Sequence, residues 1–141
     1  MQILQIDLDN VKSYRHAEVA FAPGTNAICG LNGAGKSTLL EAIGFVLFDF
    51  LAVKQDDFVR GGEKTATVTV RVAGADGRAY HVVRRCGGSS QYYVYDPELD
   101  QKLTDGKAET AVWLQEFLGV DPGTDLAVLF RDAVGVPQGL L

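Results

Sequence analysis

Cysteine is scarce in this chain: Cys29 and Cys86 are the two among 141 residues. Two thiols make neither a disulfide framework nor a metal-ligand cluster, so a reducing, cytoplasmic setting is the expectation. Long hydrophobic runs are lacking too. The longest, counting Gly44, runs from Ala42 to Phe48, far short of the ~20 residues that cross a bilayer, so no membrane role is expected. No signal peptide fits either: the first residues lack a basic n-region, and Asp7 and Asp9 interrupt the first apolar stretch. Positive charge is in deficit, with a formal net charge of -5. That argues against a domain that grips nucleic acid unaided through its overall field. Internal repeats, low-complexity segments and Ser/Pro linkers are also missing, so the length is read as one domain.

What is present is an ordinary globular composition, 47% hydrophobic and 22% charged, which excludes disorder as the default. Glycine stands out at 16 residues, which raises the question of where backbone turns sharply or approaches a ligand. From Gln2 to Asn10, Leu4, Ile6 and Leu8 alternate with Gln5, Asp7 and Asp9, predicting a strand with one wet face. Val19 and Phe21 face one way across Ala20, Pro23-Gly24 turns the chain, and Thr25 to Cys29 reads as a short strand running into Gly30. From Lys36 to about Val53, apolar residues recur at three and four, the pattern of a helix covered on more than one side. Alternation then returns over Thr65–Val72, Ala79–Cys86 and Gln91–Tyr95, with glycine turns between, predicting a three-stranded antiparallel meander. Thr104 or Asp105 is expected to cap a helix through Leu118, and Thr124 or Asp125 a shorter one to Val134.

The informative element is Gly30-Leu31-Asn32-Gly33-Ala34-Gly35-Lys36-Ser37, which satisfies the phosphate-loop pattern G-x-x-x-x-G-K-[ST]. Glycines let consecutive N–H groups wrap a phosphate, and the following helix adds its dipole. Lys36 stands where its ammonium reaches the β- and γ-phosphates, and the Ser37 hydroxyl where it can ligate Mg²⁺. The bland alternative is a Gly-rich turn that happens to precede a helix. Typical residue frequencies produce the fixed positions in roughly one chain in a hundred of this length, or fewer. The strand before and the helix after also match what the mechanism requires. Cys29, beside the loop, reads as a small buried residue ending a core strand.

From Asn26 to Gly44 the sequence resembles the ABC-type head of SMC-like ATPases, through Asn32-Gly33-Ala34-Gly35-Lys36-Ser37-Thr38 and the Leu39-Leu40-Glu41-Ala42-Ile43 behind it. Asn10-Val11-Lys12-Ser13-Tyr14 after the first strand is similar to that family's opening. The resemblance is closest to the SbcC-type DNA double-strand-break repair ATPases, in which a stretch like Phe58 to Gly62 precedes a meander ending in paired arginines, here Arg84-Arg85. Val136-Pro137-Gln138-Gly139 resembles the family's Q-loop. The implied fold is α/β: a P-loop NTPase, the N-terminal lobe of an ABC-type head, with a mixed sheet around the phosphate-loop helix and the meander as a subdomain beside it.

The resemblance also implies a site with ATP and Mg²⁺ as cofactors. Asn32, Gly33, Ala34, Gly35, Lys36, Ser37 and Thr38 would hold the phosphates. Lys12 and Ser13 would contact the nucleotide from the first hairpin, and Val59, Arg60 and Gly61 would lie near base or ribose. Gln138 would join Ser37 at the metal, and Lys36 and Gln138 would carry the catalytic load. Without the resemblance Lys12 reads as a solvated loop charge, Arg60 as a surface residue and Gln138 as a turn residue after Pro137. Arg84 and Arg85 read as marks of a strand with one wet face and are left out of the site. His16 and His81 have no acidic or cysteine partner at ligand spacing.

An ATPase of this type also needs a Walker B strand ending in Asp-Glu, and a signature motif. Phe45-Val46-Leu47-Phe48-Asp49 has the first look but lies in the helix and is followed by Phe50, while Arg131 interrupts Leu126 to Asp132. Residues 1–141 are therefore expected to be one lobe of a split head, a piece of a longer chain that binds nucleotide and hydrolyses it poorly alone. The implied partners are a C-terminal lobe carrying Walker B and signature, a second head in a homodimer, an SbcD-type nuclease and double-stranded DNA. The implied location is cytoplasmic and nucleoid-associated. Two other readings stay open: a head lobe of a chromosome-organising SMC or a RecF- or RecN-like recombination ATPase, and a self-contained P-loop phosphotransferase.

Overall fold

The computed structural model describes residues 2–21, 33–51 and 53–134. The expected strand Thr25–Cys29, the loop residues up to Asn32 and the Q-loop residues around Gln138 lie outside them. Strands β1 (Gln2–Val11) and β2 (Tyr14–Ala20) form a hairpin; helix α1 (Gly33–Leu47) and the single turn α2 (Gln55–Phe58) follow. Then come β3 (Thr65–Ala73), β4 (Ala79–Gly87), β5 (Gln91–Asp96), β6 (Gln101–Asp105), α3 (Lys107–Leu118) and α4 (Leu126–Val134).

The strands make one six-stranded sheet in the order β2-β1-β3-β4-β5-β6. Every pairing among the described residues is antiparallel. The meander is thus no separate subdomain, because β3 pairs directly with β1, setting Ile6 opposite Val70 and Leu8 opposite Val68. That register puts Ile6, Leu8, Val68, Val70, Val72, Val82 and Val94 on one face, all buried, and α1 lies across it against β1, β3 and β4. Leu39, Ala42, Ile43, Val46 and Leu47 complete the core from the helix side; each such side chain contributes roughly 1.5–3 kcal/mol by leaving water.

Two expected boundaries move. Helix α1 stops at Leu47 rather than near Val53, although the apolar spacing continues. Asp49 takes a φ of 54°, and the N–H groups of Phe48 and Phe50 both bond to the Gly44 carbonyl, 3.1 and 2.8 Å, which closes the helix. The rings of Phe48 and Phe50 then turn onto Phe130 of α4, with centroids 4.8 and 5.8 Å away. A Cβ on Gly44 would lie 2.7 Å from that Phe130 ring and 2.9 Å from the Phe50 carbonyl, so the close approach requires glycine.

The meander also gains β6, a strand that the sequence reading made the start of a helix. Thr104 is a buried strand residue, not a cap: its hydroxyl accepts the Val94 N–H at 3.0 Å and lies 2.8 Å from the Thr110 hydroxyl. Helix α3 is instead capped at Gly106, with φ 101°, and Glu109 reaches back to the Asp105 N–H at 3.1 Å. For α4, Asp125 accepts the Val128 N–H at 3.2 Å, the expected capping contact.

Candidate nucleotide site at the start of helix α1

Helix α1 opens at Gly33, one turn before the sequence expectation, so Gly33, Ala34, Gly35 and Lys36 form its first turn. The first N–H groups of a helix have no partner within it and point out along the axis, where an anion is favoured. No acidic residue stands in this turn to compete. Ser37 follows exposed to solvent, while Thr38 is buried at 4%. The backbone and hydroxyl present therefore fit a phosphate group with a cation beside it. Among the described residues no three His, Cys, Asp or Glu side chains gather to hold a metal.

Two other expected groups meet each other, and Lys12 of the first reaches this helix. Val11 and Val59 form an antiparallel bridge. The Lys12 N–H donates to the Phe58 carbonyl at 2.7 Å, and the Arg60 N–H to the Asn10 carbonyl at 2.8 Å. The hairpin tip carrying Lys12 and Ser13 is thereby fastened to Val59, Arg60 and Gly61. Phe58, fully buried, packs its ring against Phe45 of α1, with centroids 5.3 Å apart. Lys12 holds a φ of 53°, a left-handed conformation uncommon outside glycine and asparagine, and its ammonium pairs with Glu41 on α1. Ser13 and Gly61 are exposed, and the Arg60 guanidinium sits 3.7 Å from Glu63.

Glu41 was not singled out from sequence as a charged partner of this site. The available signal was its position four residues after Ser37, one helical turn along the same face.

The far end of α1 holds the other omission. Arg84 does not lie on a wet face: it alternates with buried Val82 and Cys86 and points inward. Its guanidinium donates to the Phe45 carbonyl at 2.8 Å and to Asp49 at 2.7 Å. It lies between the rings of Phe45 and Tyr92, 4.5 and 4.3 Å from their centroids. The Tyr92 hydroxyl donates to the Val46 carbonyl, and burial pushes that phenol well above its ordinary pKa. Two β-strand side chains thus satisfy carbonyls that the end of α1 leaves open. Arg85 does face outward and bonds Ser89. His16, given no acidic partner from spacing, has two: Asp9 across the hairpin at 2.6 Å and Glu18 on its own strand at 3.4 Å.

Residues 5–117 match the AAA domain family. A DNA double-strand break repair Rad50 ATPase of Methanopyrus kandleri is 37% identical, over 97% of this chain and 16% of its own length. Its counterpart in Halobacterium salinarum is 32% identical, over 99% of this chain and 16% of its own. The chain thus spans about a sixth of the length of these curated relatives. Among solved structures, the recombination mediator protein RecF with ATP shares the fold, with a TM-score of 0.55 at 23% identity over 73% of this chain and 28% of its own. The family match over most of the chain, the Rad50 relatives and the shared RecF fold agree: the chain belongs to the AAA domain family, as an SMC-like ABC-type ATPase head close to Rad50 and SbcC.

Proposed function

We propose that residues 1–141 are the N-terminal lobe of an ATP-hydrolysing DNA-repair head and that the start of α1 is its nucleotide site. The family implies nucleotide use with Mg²⁺ as the usual companion. One observation carries the reading: the Gly-Ala-Gly-Lys turn opens the helix without an acidic residue, the Lys12 side chain pairs with Glu41 of that helix, and the segment reaching Arg60 is bonded to the Lys12 tip. In this reading the N–H groups of Asn32 to Thr38 wrap the phosphates, and Lys36 places its ammonium on the β- and γ-phosphates. Ser37 and Gln138 hold the cation. Val59, Arg60 and Gly61 flank base or ribose. Mg²⁺ supplies neutralisation of phosphate charge.

The Walker B carboxylates and the signature sequence are not among these 141 residues, so hydrolysis is assigned to a composite site. A C-terminal lobe and a second head would complete it, and two heads would close around ATP. Nucleotide shifts that closure only as far as it binds the closed state better. An SbcD-type nuclease and double-stranded DNA are the partners this reading gives the whole complex, in DNA end processing or tethering.

Calorimetry with Mg-ATP beside a phosphate-release assay tests it. Residues 1–141 are expected to bind ATP with little turnover, and Lys36→Ala to weaken binding by about tenfold or more, the scale of one charge-assisted phosphate contact. Robust turnover by these residues alone would contradict the one-lobe reading. Undiminished binding by Lys36→Ala would contradict the phosphate-loop assignment.

A further inference from the structure

We draw no further inference here: the strongest candidate, the cavity of about 390 Å³ between the end of α1, the β4–β5 turn and the start of α3, carries nothing, because its cations are already held, Arg84 and Lys107 by Asp49 and Arg85 by Ser89, and what remains is a helix N-terminus with no second feature that points to a ligand.

Discussion

The surroundings of the two histidines shift their pKa values in opposite directions. His16 is exposed, and its hydrogen bond to Asp9, joined by Glu18, raises its pKa above the ordinary 6.5. His81 is lowered by burial, with the Arg71 charge adding to it. For His16 the folded chain holds a proton more tightly than the unfolded one. The stability it contributes is therefore full below about pH 6.5 and is lost as pH rises through the folded value. For His81 the sign reverses: the folded state prefers the neutral ring, and stability is lost as pH falls. An NMR titration of the ring protons should place His16 above 6.5 and His81 below it, with Asp9→Asn returning His16 toward 6.5. Equal midpoints would contradict the hairpin register that sets Asp9 opposite His16. At this scale the sequence was legible where alternation alone decides which side chain is buried, as at Ile6 and Val70. It was silent on partners brought together by pairing: His16 with Asp9, Lys12 with Glu41 and Arg84 with Asp49 lie 7, 29 and 35 residues apart.

Helix α1 is held at Glu41 by Lys12 and at its far end by Arg84 and Tyr92, and that far end is the better test of how the sheet holds it. Replacing Arg84 with Met keeps the stem against Phe45 and Tyr92. It leaves Asp49 without its nearer cation, since Lys107 stands 3.2 Å away and is mostly exposed, and removes the donor to the Phe45 carbonyl. Removing a charged donor from partly buried acceptors costs about 1–3 kcal/mol, and Arg84 is only 18% exposed, so solvent screening discounts little of that. Denaturant unfolding should show a lower midpoint with an unchanged slope. A midpoint equal to that of the parent protein would mean that the clamp contributes nothing. The inward direction of Arg84 was available in the sequence, since Val82, Arg84 and Cys86 share one parity; the default that arginine is wet overrode it. Strand β6 was not legible in the same way. Gln101 to Asp105 offers one apolar residue, Leu103, and its buried member, Thr104, is held by hydrogen bonds that only the folded chain supplies. The end of α1 was hidden for the opposite reason, because Phe48 and Phe50 continue an apolar pattern but serve a cluster with Phe130, 80 residues beyond Phe50.

Across the described residues, one antiparallel sheet joins the hairpin and the meander, with helix α1 packed on its apolar face. The strands of the meander followed from periodicity and the α/β class from the resemblance, whereas the joining of β1 to β3 followed from neither, because alternation fixes a strand's faces and not its neighbour. The hairpin tip is bonded to the segment around Val59 and Arg60, and Lys12 reaches Glu41 of α1, so these separate stretches are proposed to serve one nucleotide site at the start of that helix. Hydrogen exchange with and without Mg-ATP tests it most directly. Nucleotide should slow exchange at the start of α1 from Gly33 to Thr38, at Lys12 and Ser13, and at Val59 to Gly61, while the Arg84 and Tyr92 end of α1 changes little. Protection confined to the Arg84 end, or none at the start of α1, would contradict the account.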